Sequence, residues 1–303
     1  MIETPYLLYL GHSNDPADIK TSRGLAVFRP DICIGEFSHD DCPLTLDLAR
    51  MDFAAAREAG GRTLVLGIAN AGGKLGAALV IDALAAMEAG IDIASGLHHR
   101  LNAEPRLIEA AARLGRKLHD VRDPRPDIQI GNGKKRLGNR LLTVGTDCSV
   151  GKMYTTLCLA SALEKRGIAA DFRATGQTGI LIAGDGVPLD AVVADFISGA
   201  IEQLSPARSD NGWDLIEGQG SLYHPSFAGV SMGLLHGAQP DALVLCHDPV
   251  RPNMRGLPHY QLPGIAETLD ANLRAARLTN ADVRFAGIAL NTSGMAGDAA
   301  RAL

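Results

Sequence analysis

The sequence predicts an α/β chain of two domains, each built on a parallel β-sheet with helices on its faces. Three observations carry that prediction. Short apolar or β-branched runs alternate with helical stretches along nearly the whole chain, which is the pattern of βαβ units. The 303 residues are enough for two cores. Breakers at Asp123-Pro-Arg-Pro126 and Gly131-Asn-Gly-Lys-Lys135 interrupt the alternation, so the expected domains are residues 1–130 and 131–303.

In the first half, Pro5–Leu10 is an apolar strand stopped by Gly11, and Asp31–Gly35 is a second strand. A helical pattern over Leu44–Ala59 ends at Gly60-Gly61. Arg62–Ile68 is the clearest strand of this half and leads through Asn70, Gly72 and Gly73 into a helix ending at Met87. Ile91–Ser95, a helix over Pro105–Leu114 and a strand near Lys117–Val121 complete the half. In the second half, the strand before Gly145 is followed by a helix through Leu157, Ala160 and Leu163 that closes at Gly167. Then come a strand at Ala169–Arg173, a long helical pattern over Val187–Leu204, and strands at Trp213–Glu217 and Asp241–Cys246. A helix over Ile265–Arg277 precedes Arg284–Leu290, read as the last core strand.

A formal charge of −5 argues against nucleic acid as the main partner. The opening Met1-Ile-Glu-Thr-Pro-Tyr lacks the basic region of a signal peptide, and no apolar run is long enough to span a bilayer, so no membrane partner is expected. Cys33, Cys42, Cys148, Cys158 and Cys246 form no CxxC pair and read as free thiols in a reducing compartment. A cytoplasmic enzyme, and a homo-oligomer, is the expectation.

The chemistry centres on Gly145-Thr-Asp-Cys-Ser-Val-Gly-Lys-Met153. Strand, glycine-bounded loop, lysine and helix in that order describe a phosphate-binding P-loop. Its backbone N–H groups and helix N-terminus attract an anion, and Lys152 adds a full charge. The cofactor-binding candidates are therefore Gly145, Thr146, Cys148, Ser149, Val150, Gly151, Lys152 and Met153. The loop is one residue longer than usual between its glycines, which looks like the loop of dethiobiotin synthetase. Met153 stands where a hydroxyl normally holds Mg²⁺, and a thioether is a poor ligand for a hard cation. Phosphate binding without nucleotide hydrolysis is the reading.

Ligands of open α/β sheets sit at the carboxyl ends of strands, which selects the remaining candidates. Glu217 ends a strand and is placed to act as a general base or to orient an amine. His224, in the same loop, is either a base or a structural hydrogen-bonding histidine, and Asp147 in the P-loop completes the catalytic candidates. Cys148 is expected to have a lowered thiol pKa beside Lys152 and the helix N-terminus, as a nucleophile or simply a small side chain filling the loop. Asn70 is part of an anion-binding nest or of a plain strand–helix turn. Arg100 clamps a carboxylate or lies solvated. Arg251 and Arg255 are candidate anion contacts. His98 and His99 are neighbours that point apart, and no metal-ligand spacing occurs, so no metal is expected. Asn291 lies where P-loop enzymes read a base, but the rest of a guanine signature is absent.

The P-loop, Ala174-Thr-Gly-Gln-Thr-Gly-Ile-Leu-Ile-Ala-Gly184, Val187-Pro-Leu-Asp-Ala191 and Glu217-Gly-Gln-Gly-Ser-Leu-Tyr-His-Pro225 together resemble one family. It was long labelled a domain of unknown function, with a Rossmann-like N-terminal half and a P-loop NTPase-like C-terminal half, and it includes D-glutamate N-acetyltransferases. The resemblance covers essentially the whole chain. It implies transfer of acetyl from acetyl-CoA to the amine of D-glutamate, a small acidic acceptor, with the P-loop holding the coenzyme A pyrophosphate and no metal needed. The loop signature of the common acetyltransferase superfamily is absent. The implied acceptor contacts are Asn70, Arg100, Arg173 and Gln177. An ATP-dependent ligase or kinase of the dethiobiotin synthetase type is the rival enzyme class, and a nucleotide-binding module without chemistry is the third reading.

Overall fold

The computed structural model describes residues 2–68 and 73–303, and the chain divides into two compact units. The first comprises Met1–Asp123 with Ile180–Asp185, the second Pro124–Gly179 with Gly186–Leu303. In the first, β1 (Tyr6–Gly11), α1 (Lys20–Phe28), β2 (Cys33–Ser38), α2 (Phe53–Glu58), β3 (Thr63–Leu66), α3 (Ala77–Glu88), β4 (Asp92–Ser95), α4 (Pro105–Leu114) and β5 (Leu118–Asp120) alternate. The five strands form a parallel sheet in the order β2-β1-β3-β4-β5. β1 is buried along its whole length, as a parallel strand covered on both faces must be.

The second unit repeats the plan: β6 (Asn139–Gly145), α5 (Lys152–Glu164), β7 (Ala170–Arg173), α6 (Gln177–Ala183), α7 (Ile197–Leu204), β8 (Trp213–Ile216), α8 (Ala228–Ala238) and β9 (Ala242–His247). A short hairpin, β10 (Asn253–Met254) and β11 (Leu257–Gln261), precedes α9 (Ile265–Ala276), β12 (Arg284–Leu290) and α10 (Gly297–Arg301). The sheet is parallel in the order β12-β9-β6-β8-β7, with the P-loop strand β6 at its centre. The expected α/β class with two parallel sheets is what the structure has.

Three local expectations are corrected. The helix expected over Leu44–Ala59 is reduced to α2, capped by Asp52, whose carboxylate accepts from Ala55 N at 2.7 Å. Upstream, buried Glu36 captures Leu46 N–H at 2.7 Å and the Thr45 hydroxyl at 2.8 Å, holding that stretch away from the helical conformation. The long helix expected over Val187–Leu204 is only α7, preceded by two 3₁₀ turns. Val187 and Leu189 instead donate their N–H groups to Ala174 O and Thr175 O. β12 is an edge strand, with only Phe285 and Ala289 partly buried, rather than a core strand.

The amino ends of β6, β7 and β8 are held by a buried ionic network. Arg140, 1% exposed, donates to Ser205 Oγ at 2.9 Å and to the carbonyls of Arg136, Leu137, Gly138 and Pro206. Ser205 Oγ donates at 2.6 Å to Asp214, 0% exposed, which also accepts from Arg173 and Arg208 at 3.0 and 2.8 Å. Removing Asp214 would leave several cations without their shared counter-charge. Asp214→Ala is expected to destabilise the second unit by about 3–5 kcal/mol, read from the urea midpoint. A shift worth less than about 1 kcal/mol, the range of an exposed pair, would contradict this account.

Candidate active site

The candidate site lies at the opposite, carboxyl end of the second sheet. β6 is buried from Arg140 to Gly145 because it is the central strand, and it ends at Gly145, where the chain turns sharply. A Cβ there would fall 2.8 Å from Val150 Cγ2 and 3.1 Å from Lys152 Nζ, so any other residue would push the loop out of place. Ser149 and Gly151 adopt left-handed conformations, φ 54° and 102°, which a nest of inward N–H groups needs. A non-glycine residue bears such a conformation at some cost, commonly where function demands it. α5 begins at Lys152, so the helix N-terminus faces the same space.

Lys152 is buried, and its Nζ donates to Asp147 O at 2.7 Å. Burial lowers its pKa, against the opposing pull of Cys148, Cys246, Asp147 and Glu217. Gly218, just past β8, lets the backbone pass against β6 and the lysine stem; a Cβ there would lie 1.7 Å from Thr143 O and 2.9 Å from Lys152 Cδ. Thr156, four residues into α5, is committed to Thr143 Oγ1 at 2.9 Å and to Lys152 O at 2.7 Å. Thr146 is buried, with its hydroxyl 3.1 Å from His247 Nδ1, while Val150 is buried and Met153 partly so.

Asp147 is the anchor of the loop. Its Oδ2 accepts from Arg251 at 3.0 Å and from the peptide N–H of Arg255 at 2.7 Å, whereas its Oδ1 is buried without a hydrogen bond among the described residues. Arg251 also donates to Cys148 O and Ser149 O at 2.8 and 3.0 Å. Cys148 departs from expectation: burial raises its thiol pKa, outweighing the lowering by Lys152. The desolvation of a thiolate in this loop exceeds the attraction of the nearby cations, so the group is a protonated thiol at neutral pH.

Glu217 and His224 sit beside this loop. Glu217, 4% exposed, accepts from Thr175 N at 2.9 Å and Gly176 N at 3.2 Å, with Gln219 Nε2 at 3.4 Å. Burial pushes its pKa up to about 7, although those hydrogen bonds and Lys152 pull the other way. A carboxyl poised there suits a general base. His224 is buried, stacks on Phe227 with centroids 4.4 Å apart, and accepts from Ser226 N at Nδ1. Asp147, Cys148 and His224 each bring a ligand-capable atom within 4.8 Å of the others. This is the one cluster of metal-ligand type among the described residues, and sequence spacing gave no sign of it. Two donors already hold the Asp147 carboxylate and Lys152 and Arg251 lie alongside, so the local charge favours an anion over a cation.

Of the acceptor candidates, Asn70 lies outside the described residues. Arg173 holds its guanidinium on buried Asp214. Gln177 opens α6. Arg100 belongs to the first unit, where it pairs with Asp123 on the surface. Thr175 and Gln219, which surround Glu217, lie within the motifs after β7 and β8, but the sequence gave neither a role of its own.

Comparison with known proteins agrees with this architecture. Residues 38–124 match a family described as a domain of unknown function (DUF1611_N), Rossmann-like domain. Residues 129–303 match the domain of unknown function (DUF1611_C), P-loop domain. The chain is 52% identical over 292 residues, 96% of its length and 88% of the relative, to a protein of Tritonibacter scottomollicae named D-glutamate N-acetyltransferase. A protein of the same name from a Pseudoalteromonas species is 50% identical over the same shares. A crystal structure of a DUF1611 family protein from Anabaena variabilis superposes with a TM-score of 0.89 at 31% identity, covering 99% of this chain and 91% of that one. A Rossmann-like and a P-loop domain joined in that order make this chain a member of the DUF1611 family.

Proposed function

We propose that this protein is a D-glutamate N-acetyltransferase that takes its acetyl group from acetyl-CoA. Likeness to two D-glutamate N-acetyltransferases along 96% of the chain is the observation that carries the reaction and the acceptor. The donor is argued from the P-loop. An anion cradle with Lys152 but with Met153 in place of the Mg²⁺-binding hydroxyl suits a pyrophosphate that is held and not cleaved.

Glu217 takes a proton from the acceptor ammonium, and the free amine attacks the thioester carbonyl. The new C–N bond forms and the C–S bond breaks, and the second proton of the nitrogen, released as the amide forms, goes to the departing thiolate. Cys148, a protonated thiol, needs no part in the transfer. Arg173 serves the fold through Asp214.

The test is product mass spectrometry after incubation with acetyl-CoA and D- or L-glutamate. N-acetyl-D-glutamate is expected without ATP and in excess EDTA. Product that forms only with ATP and Mg²⁺ would instead assign a ligase or kinase. Cys148→Ala is expected to keep substantial turnover, and an acetylated Cys148 with ping-pong kinetics would contradict direct attack.

Glu217 gives two further expectations. With the ionised form required, kcat should fall as pH drops below about 7, and Glu217→Gln should lose roughly 10²–10⁴-fold in rate. The same carboxyl has a stability signature. Its folded pKa of about 7 lies above the ordinary 4.5, so between those values the folded state keeps a proton that the unfolded state has lost. Stability therefore falls as pH rises from about 4.5 to 7, by about 3 kcal/mol in all. Glu217→Gln should be more stable than the parent at pH 8 and equal to it below pH 4.5. Denaturant titrations showing no pH-dependent difference would remove the raised pKa from the account.

A further inference from the structure

The hairpin β10–β11 adjoins the P-loop, and none of the steps above uses it. It is tied there by Arg255 N–H on Asp147 at 2.7 Å, and by Arg251, two residues ahead of it, on Asp147 at 3.0 Å and on two loop carbonyls. Between Asp248 and Glu267 the chain carries Arg251, Arg255 and His259 and no acidic residue, although the protein as a whole has a charge of −5. Arg251 is fully engaged with Asp147, Asp248 and the loop. Arg255 differs. Its exposed guanidinium makes no hydrogen bond or ion pair with any described residue, yet its charge reaches the Cys148 thiol. On β11, His259 and Tyr260 are exposed, Tyr260 at 42%.

A cation beside a diphosphate cradle, on a hairpin that also carries exposed aromatic rings, is the chemistry that recognises a second phosphate on a nucleoside. We propose that Arg255 binds the 3′-phosphate of coenzyme A and that the hairpin is the platform for its adenine. This rests on acetyl-CoA as the donor. In that molecule the pyrophosphate and the 3′-phosphate are carried by one ribose. A residue that reads the second must therefore stand about a sugar's breadth from the loop that holds the first. The backbone tether to Asp147 gives Arg255 that position.

The experiment compares acetyl-CoA with 3′-dephospho-acetyl-CoA, D-glutamate being the acceptor, in the parent, Arg255→Ala and Arg255→Lys. The parent should prefer acetyl-CoA by roughly ten- to a hundredfold in kcat/KM, chiefly through KM, as loss of a charged hydrogen bond predicts. Arg255→Ala should bring that ratio near unity, and Arg255→Lys should retain part of it. Calorimetry with adenosine 3′,5′-bisphosphate and ADP reads the same site without turnover: the parent should favour the bisphosphate and Arg255→Ala should not. Equal use of the two donors by the parent, or a preference that survives Arg255→Ala, overturns the site and leaves acetyl transfer standing. Turnover with neither donor overturns the reading beneath it, and the proposal with it.

Discussion

The second unit is organised by one constraint, the burial of the Lys152 ammonium. A desolvated cation is costly unless it meets oxygen, and here Asp147 O is the protein oxygen that holds it. The close approach of Thr143 O and of the lysine stem explains Gly218, and the turn that aims the lysine explains Gly145. Its field also acts on Glu217, lowering a pKa that burial raises. An incoming anion gains the lysine, the helix N-terminus and the loop N–H groups together.

The parallel sheet separates this chemistry from the groups that hold the unit together. At the amino ends of the strands, Arg140, Ser205, Asp214, Arg173 and Arg208 close on one another. At the carboxyl ends, the loops after β6, β7 and β8 bring Lys152, Thr175 and Glu217 to one place. Arg173 lies at the end of β7, yet its guanidinium turns back to Asp214 within β8, and so it serves the structural side. Strand position alone does not reveal that choice.

Local signals were legible in the sequence where local geometry decides them. The glycines and lysine of the P-loop, the alternation of strand and helix, and Glu217 at a strand terminus all follow from short spacings. What was not legible depends on partners far along the chain. Glu217 receives its hydrogen bonds from Thr175 and Gly176, and Arg251 reaches back to Asp147 from beyond β9. Glu36 likewise takes the helix from the stretch ahead of Asp52. Cys148 shows how a correctly named neighbour still gives the wrong sign: Lys152 was foreseen, but the degree of burial was not.

The central claim is that the loop from Gly145 to Met153 holds the pyrophosphate of acetyl-CoA through Lys152. Isothermal titration of acetyl-CoA into the parent and into Lys152→Ala tests it directly. The account predicts a loss of about 1.5–3 kcal/mol in binding, the range for a hydrogen bond to a charged group. Unchanged affinity in a folded Lys152→Ala protein would contradict it.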